Sequence, residues 1–264
     1  MGLVDYHNHT PLCGHATGSP GDYVRAAIDA GLAEIGFSDH APLPEHIREG
    51  ITMTEAQTEE YIALVETARD TAGGAIQVRV GFEVDYPLHS TFDERYFTDP
   101  RIDYLTGSCH FIDDWAFDHP DYIDGFAKRD IDDIYRRYFG LMKGLVSSGR
   151  FNIVGHFDLV KKFGHRATRD FRDEISSVFR GMPPGGVAVE INTAGLRKPV
   201  KEMYPSADIV ALLFSLNVPV TLGSDSHEPV EVAHEFPRAV EMLKGAGYRK
   251  ISGFEKRKRF DIAL

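Results

Sequence analysis

The chain of 264 residues has few cysteines and no long apolar run. Its two cysteines, Cys13 and Cys109, cannot build the disulfide framework of a small secreted protein, so we expect a reducing, cytoplasmic location. No run of about 18 apolar residues, the length needed to span a bilayer, is present. The first residues also lack the charged-then-apolar pattern of a signal peptide. The sequence therefore predicts a cytoplasmic protein with no membrane partner.

Positive charge is also scarce in this chain. Lysine and arginine number 29 against 40 aspartates and glutamates, which gives a formal net charge of -11. Long nucleic acids and anionic membranes bind basic surfaces, so this charge argues against both partners. Residues 256–259 (KRKR) form a short basic run that we expect to be a solvated tail, because four charges alone do not make a nucleic-acid site.

Strand-like and helix-like segments alternate along the whole sequence. The apolar or β-branched segments predicted as strands cover residues 3–4, 34–38, 76–84, 102–109, 151–154, 187–191 and 218–222. Helical patterns separate them, and a last helix is predicted over about residues 230–244. Such alternation implies parallel strands with right-handed crossovers. Seven units in a chain of this length favour an α/β fold, a distorted (β/α)7 TIM-like barrel formed by a single domain over residues 1–264.

Histidines and carboxylates stand just after these predicted strands. His7 and His9 should project together, because side chains two residues apart share one face of a strand, and His15 follows on the next loop. The other strand-end candidates are His40, Glu83, His110, His156, Asp225 and His227. In a barrel all of them gather at the mouth formed by the loops after the strands.

Imidazole and carboxylate groups are ligands of transition metals. Seven histidines and two carboxylates exceed the needs of one four-coordinate zinc ion, so two or three metals fit better. Any one of these histidines could instead be a hydrogen-bonded structural residue. Asp39 and Asp85 are expected to orient the ligands or to be structural residues, rather than to bind metal. Histidines away from the strand ends are expected to be surface or loop residues; they are His46, His89, His119, His165 and His234.

The ordered motifs resemble those of the PHP (polymerase and histidinol phosphatase) family. They are His7-x-His9, His15, Ser38-Asp39-His40, Gly81-Phe82-Glu83, His110, Gly155-His156-Phe157-Asp158 and Gly223-Ser224-Asp225-Ser226-His227. The resemblance spans nearly the whole chain and implies a distorted seven-unit barrel with a trinuclear site. It implies three divalent transition-metal ions. Nitrogen and oxygen ligands suit zinc, iron or manganese.

The resemblance also implies how the ligands divide among the three metals. The first metal would take His7, His9, Glu83 and Asp225, with Glu83 bridging to the second. The second would add His110 and His156, and the third would take His15, His40 and His227. No ligand position of the family is missing here, which disfavours a degenerate PHP domain that has kept only the fold.

A multinuclear centre of this kind suits the hydrolysis of phosphate esters. A water between paired metals is acidified to hydroxide and attacks, while the metals stabilise the leaving oxygen. We expect Glu83, Asp225 and His227 to be the catalytic residues. Basic side chains should hold the remaining phosphate oxygens. Arg197 is the first candidate because its planar guanidinium matches the geometry of phosphate, and Lys162 and Lys161 come next. Each of the three could instead be a surface ion-pairing residue.

The substrate implied by the resemblance is L-histidinol phosphate, a small phosphorylated compound of histidine biosynthesis. The acidic, aromatic segment over residues 111–126 suits an imidazole and a protonated amine. The alternative within the family is a phosphoesterase for another small phosphate ester, a nucleotide or an oligonucleotide end. An amidohydrolase barrel also opens with His-x-His, but its usual lysine after the fourth strand is absent from residues 106–110 (TGSCH).

Overall fold

Seven of the strands form a barrel, and helices connect them. The computed structural model describes residues 2–48, 50–88, 93–182 and 186–264. The strands are β1 Val4–Asp5, β2 Glu34–Phe37, β3 Gln77–Asp85, β4 Tyr104–Ser108, β5 Phe111–Ile112, β6 Trp115–Ala116, β7 Ile153–Val154, β8 Ala188–Asn192, β9 Val220–Gly223, β10 Lys250–Glu255 and β11 Lys258–Ala263. The α-helices are α1 Pro20–Asp29, α2 Glu45–Arg48, α3 Thr58–Ala72, α4 Ile131–Ser147, α5 Arg172–Phe179, α6 Ala207–Ser215 and α7 Phe236–Ala246.

The main sheet runs in the order β1-β2-β3-β4-β7-β8-β9, with every neighbouring pair parallel. The last strand returns to the first: Tyr6 N donates to Leu222 O over 3.1 Å, and Asn8 and Ser226 form a parallel bridge. These contacts bring the two edges of the sheet together, which removes exposed edge strands. The predicted distorted (β/α)7 barrel is therefore confirmed.

Local signals in the sequence explain where the main helices begin and end. The Ser19 hydroxyl accepts a hydrogen bond from Asp22 N, and the Asp22 carboxylate accepts one from Ser19 N, which is a capping box before α1. The side chain of Asp130 accepts from Asp133 N at the start of α4. Helix α3 ends at Gly73, whose φ of 56° is in the left-handed region that glycine adopts readily. These signals confirm the predicted helical segments.

The interior of the barrel is packed with aromatic and aliphatic side chains. Tyr104 at the start of β4 is fully buried, and its hydroxyl donates to Tyr6 O over 2.7 Å. A Cβ atom added at Gly81 would lie 2.5 Å from the Tyr104 ring, and one at Gly36 would also overlap it. Glycine at these two strand positions therefore leaves room for a large ring, and this close packing supports the strand ends above it.

The C-terminal segment differs from the prediction. Residues 256–259 are not a solvated tail; they belong to the antiparallel hairpin of β10 and β11. Arg257 is half-buried and donates to Phe97 O over 3.4 Å and to Arg150 O over 2.6 Å. Ile251 and Phe254 of the same hairpin are buried in the core. Apolar positions on β10 thus anchor this segment, and the basic run forms its turn and the beginning of β11.

The start of the last helix also differs from the prediction. The last helix begins at Phe236 rather than near residue 230, because Pro229–Glu231 forms a short 3-10 turn and Pro237 occupies the first helical turn. The segment over residues 111–126 contains the small antiparallel pair of β5 and β6, followed by the 3-10 helix Pro120–Lys128. Within the part of the chain that the structure describes, none of the helices has the length and apolar character needed to cross a membrane.

Candidate metal centre

The predicted ligands come together where the barrel strands end. Asn8 lies between His7 and His9 and turns to the opposite side, where its amide donates to Gly36 O over 3.0 Å. His7 and His9 therefore face the same way, as their spacing predicts, and both are fully buried. Glu83 follows from β3, on a strand that is buried along its last eight residues.

The carboxylate of Glu83 lies at the centre of the cluster. Its Oε2 atom is 3.3 Å from His7 Nε2, 3.8 Å from His9 Nε2 and 3.0 Å from His40 Nδ1. Its Oε1 atom is 2.8 Å from His156 Nε2 and 3.5 Å from His110 Nε2. The two oxygens thus face different sets of imidazoles, which is the arrangement that a bridging carboxylate requires.

Asp225 completes this part of the site from the loop after β9. Its Oδ1 atom is 3.3 Å from His9 Nε2 and 3.8 Å from His7 Nε2. Asp225 has a φ of 52° and His156 a φ of 21°, both outside the usual range for residues with a side chain. Strained backbone of this kind costs about 1–3 kcal/mol and persists where surrounding structure holds a functional side chain in place.

A second group of imidazoles lies beside the first. The ligand atoms of His15, His40 and His227 are within 4.8 Å of one another, and His15 Nε2 is 3.0 Å from His227 Nε2. His40 therefore lies between the two groups, since it also approaches Glu83. The two groups adjoin, because the His227 ring stacks on His9 with centres 4.1 Å apart and its Nδ1 atom is 3.7 Å from Asp225 Oδ1.

The state of the imidazole nitrogens fits metal binding. His7 Nε2, His9 Nε2 and His40 Nδ1 are buried, and none has a hydrogen-bond partner among the described residues. A buried polar atom without a partner costs roughly 1–3 kcal/mol, so a protein rarely places several of them together without a ligand. Because these atoms point at carboxylate oxygens of Glu83 and Asp225, the donor set suits divalent transition metals.

The charges of the two carboxylates in the site also fit metal binding. Burial raises the pKa of Glu83, but the neighbouring His7, His40 and His110 outweigh it and hold that pKa well below the ordinary value. The pKa of Asp225 is also held well below its ordinary value, because His7 and His9 outweigh the effect of burial. Both carboxylates are therefore ionised at neutral pH and offer anionic oxygen to a cation.

His227 is held as a neutral imidazole. Burial, reinforced by the nearby His9, lowers the pKa of His227 to about 2. Its side chain is about one-quarter exposed and lines the cavity, whereas the Glu83 side chain is almost completely covered. A neutral ring with a free lone pair is the form that binds a metal ion.

Carboxylates outside the ligand set fix the orientation of the imidazoles. Asp85 Oδ1 is 2.9 Å from His110 Nδ1, and Asp39 Oδ1 is 3.5 Å from His9 Nδ1. The contact with His110 fits the orienting role expected for Asp85, whereas Asp39 lies near His9 without a hydrogen bond to its Nδ1 atom. Thr10 in turn donates to Asp39 from its backbone amide over 3.2 Å and from its hydroxyl.

Glu190 is a site residue that the sequence reasoning missed. It stands in β8, and its Oε1 atom is 2.6 Å from His7 Nδ1. Its Oε2 atom accepts from His156 N over 2.9 Å and from Asn192 Nδ2 over 3.0 Å. The signal was available, because Glu190 is a charged residue within an otherwise apolar strand segment. A carboxylate that is buried in a barrel strand needs a partner, and here the partner is His7.

A cavity of about 450 Å³ opens above the cluster. Its floor contains Glu83 and the imidazoles of His15, His40, His110, His156 and His227. Its wall is formed by residues of the segments after β4, β7, β8 and β9; among these are Phe111, Asp118, His119, Leu159, Lys162, Lys198, Tyr204 and Glu228. The volume and the mixture of apolar and charged walls suit a small organic phosphate.

The three predicted phosphate ligands take different positions. Lys162 lines the cavity, and its Nζ atom is 3.0 Å from Asp118 Oδ2. Lys161 is turned inward with 2% of its side chain exposed, where its ammonium lies 2.7 Å from Asp158 Oδ2 and 2.8 Å from Glu202 Oε2. Its charge is balanced by the buried Asp158 and the partly exposed Glu202, so the expectation that Lys161 holds phosphate is not supported by its position.

Arg197 is also engaged by the protein itself. Its guanidinium donates to Ser224 O over 2.9 Å and to Asp225 O over 3.0 Å, and it pairs with Glu231 Oε1 at 2.9 Å. This position supports the loop that carries Asp225 and is not among the cavity-lining residues. The cation on the cavity wall that the sequence reasoning missed is Lys198, directly after Arg197.

The histidines expected away from the centre are His46, His89, His119, His165 and His234. His89 lies outside the described residues. His165 stacks on Phe126 with ring centres 4.2 Å apart, and His46 belongs to α2. His119 is in a loop, as expected, but that loop borders the cavity.

Comparisons with known proteins agree with this architecture. The PHP domain family model matches residues 5–194. A protein named "Probable histidinol-phosphatase" from Deinococcus radiodurans is 40% identical over 259 residues, which cover 97% of this chain and 98% of that protein. The histidinol-phosphatase of Bacillus subtilis is 27% identical over 262 residues, covering 90% of this chain and 98% of that protein.

A solved structure supports the fold. The histidinol phosphate phosphatase of Lactococcus lactis, crystallised in complex with zinc, L-histidinol and phosphate, matches with a TM-score of 0.80. The two proteins are 23% identical, and the match covers 98% of each chain. The two chains therefore share the barrel over nearly their full length.

Proposed function

This chain belongs to the PHP domain family, and on that premise we propose that it is a metal-dependent phosphomonoesterase that hydrolyses L-histidinol phosphate to L-histidinol and phosphate in histidine biosynthesis. The observation that carries the proposal is the gathering of seven histidines, Glu83 and Asp225 beneath one cavity. The full-length similarity to histidinol-phosphatases supports the choice of substrate.

The proposed metal ligands follow the spatial groups. His7, His9, Glu83 and Asp225 would hold one ion, and Glu83 with His110 and His156 would hold a second. The third ion would take His15, His40 and His227. We propose zinc as the first choice among zinc, iron and manganese, because the Lactococcus lactis protein was crystallised with zinc and these ligands are nitrogen and oxygen atoms.

When bound, the metals would supply Lewis acidity at the phosphoryl group and lower the pKa of a water molecule. The chain's own residues then have distinct tasks. Lys162 and Lys198 on the cavity wall attract the phosphate dianion and hold its outer oxygens. Glu83 keeps the imidazoles of β1, β4 and β7 in register through its two oxygens.

Asp225 is the residue proposed to take a proton from the attacking water. Its side chain is 16% exposed, against 1% for Glu83, so of these two carboxylates it is the one that water can reach. His227 borders the same cavity and is proposed to act with Asp225. We also propose that the chain works as one metallophosphoesterase domain and in the cytoplasm, where the free Cys13 and Cys109 are compatible with a reducing environment.

The test is a comparison of substrates with purified protein loaded with zinc, iron or manganese. We expect phosphate release from L-histidinol phosphate with a kcat/KM well above that for p-nitrophenyl phosphate and glycerol phosphate. Elemental analysis of the same sample gives the metal content. Equal rates on all three esters would overturn the substrate assignment, and preferential turnover of nucleotides would favour the alternative phosphoesterase.

A further inference from the structure

The cavity wall carries an ion pair whose two charges both face the space above the metal ligands. Asp118 Oδ2 and Lys162 Nζ are 3.0 Å apart, and each side chain is 18% exposed. Both residues line the same cavity as His110 and His156. An ion pair at the edge of a binding cavity can exchange its internal partner for substrate groups of opposite charge.

The other carboxylates of the cavity have different positions. Asp85 is held by His110 Nδ1 at 2.9 Å, and Glu231 accepts from His227 N over 2.9 Å and pairs with Arg197. Glu228 is exposed at the rim. Asp118 is thus a carboxylate that lies within the cavity and has as its partner a lysine side chain that lines the same cavity.

The loop that carries Asp118 is held firmly by aromatic packing. Trp115 and Phe117 on either side of Ala116 are buried, and the Phe117 ring meets Tyr138 with centres 5.5 Å apart. The indole N–H of Trp115 donates to Tyr122 O over 3.0 Å, and the Arg129 guanidinium lies 4.3 Å from the centre of the indole ring. Asp118 is therefore presented by a pre-organised segment, which reduces the entropy lost on binding.

We propose that the Asp118–Lys162 pair selects phosphate esters of alcohols that carry an ammonium group on the adjacent carbon. In such a substrate the phosphoryl group and the ammonium are separated only by an O–C–C link, so the two opposite charges lie as close together as those of the pair. Lys162 contacts a phosphate oxygen, and Asp118 accepts hydrogen bonds from the ammonium. L-Histidinol phosphate has this arrangement, so the inference rests on the proposed function and assigns its specificity.

The charge of Asp118 supports this assignment. Burial raises the pKa of its carboxyl, but Lys162 and His110 outweigh that effect and lower it below the ordinary value. The group is therefore anionic when the substrate amine is protonated. A charge-assisted contact of this kind changes binding by roughly 10- to 100-fold.

The experiment measures a ratio of two substrates. The kcat/KM for L-histidinol phosphate is divided by that for 3-(imidazol-4-yl)propyl phosphate, which lacks the amine. We expect a ratio of about 10 or more in the wild type and a fall by roughly tenfold or more in Asp118→Asn. Because both rates come from one preparation, the fraction of folded and metal-loaded protein cancels.

Asp121→Asn is the matched control. Asp121 is in the same segment, and its side chain is 81% exposed to solvent. We expect this variant to keep the wild-type ratio. A ratio in Asp118→Asn equal to that of the wild type, or an equal fall in Asp121→Asn, would overturn the inference.

A second substrate pair separates this inference from the proposed function. If the wild type does not prefer L-histidinol phosphate to generic esters, the proposed function fails, and the ratio is then measured with O-phosphoethanolamine against 2-hydroxyethyl phosphate. An amine preference that disappears in Asp118→Asn supports the role of the pair for this chemical class. If the wild type has no amine preference in either pair, the inference fails whatever the enzyme's natural substrate.

Discussion

Replacing Glu190 by glutamine should weaken metal binding while leaving the barrel folded. Glu190 Oε1 is 2.6 Å from His7 Nδ1, and both side chains are at most 2% exposed. A charge on the carboxylate makes His7 a better electron donor at Nε2 and fixes the ring orientation. Glutamine has nearly the same shape and preserves the packing, but it removes the charge and replaces one of the two acceptor oxygens that face His7 Nδ1, His156 N and Asn192 Nδ2.

The expected magnitude follows from the nature of this contact. A hydrogen bond to a charged group contributes roughly 1.5–3 kcal/mol, which corresponds to about 10- to 150-fold in an equilibrium constant. Loss of a carboxylate that orients a metal-binding histidine typically costs about 10- to 100-fold in metal affinity or activity. We therefore expect the zinc dissociation constant of Glu190→Gln to rise by about one to two orders of magnitude.

The assay is a competition titration of zinc against a chelator, followed by thermal unfolding of the metal-free protein. Glu34→Gln is a matched control, because Glu34 is a buried glutamate at the beginning of β2, where it pairs with Arg79 at 2.8 Å. That control should lower the unfolding temperature without changing zinc affinity. Gly223→Ala perturbs the same contact independently, since its Cβ would overlap Glu190 Oε1.

One outcome would refute the reasoning. Glu190→Gln could bind zinc with the wild-type dissociation constant while Glu34→Gln behaves as expected. In that case Glu190 has no influence on how tightly His7 binds metal. A loss of zinc affinity only in proportion to a loss of folded protein would also count against the orienting role.

Two other groups of changes test the centre and its surroundings. His9→Ala and Asp225→Asn should each abolish phosphate release with little change in circular dichroism. Chelation of the wild type should also abolish phosphate release until zinc or manganese is restored. Turnover by fully metal-free protein would contradict the mechanism. Lys161→Met should lower the free energy of unfolding by about 3–5 kcal/mol, because it leaves Asp158 buried without its cation, and should leave the KM for substrate unchanged. Lys162→Met should instead raise the KM for phosphate esters with little effect on unfolding. A raised KM in Lys161→Met together with a loss of stability in Lys162→Met would contradict these positions.

Much of the fold could be predicted because its signals are local. Alternating strand and helix patterns predicted the parallel barrel, and the start of α1 is fixed locally by the capping box of Ser19 and Asp22. The basic run near the C-terminus was misinterpreted, since charge suggested a tail while the apolar Ile251 and Phe254 anchor a hairpin. Pairing of β10 with β11 is a tertiary event that short-range charge does not reveal.

The neighbouring Lys161 and Lys162 show where sequence reasoning ends. Both follow the His156 motif, and both carry the same charge. In the 3-10 turn Leu159–Lys161, each successive residue is rotated by about one-third of a turn, so adjacent side chains point to different surroundings. One ammonium enters the interior beside Asp158, and the other reaches the cavity beside Asp118.

The sequence by itself determined the ligand types and their placement at strand ends, because strand alternation and barrel topology are encoded in local patterns. His7, His9 and Glu83 therefore could be predicted to meet. Only the tertiary structure decided which groups surround them: Glu190 contacts His7 across 183 residues of sequence, and Asp118 meets Lys162 across 44. Such contacts depend on the register of distant strands and the path of loops, and no periodicity within a short segment specifies either.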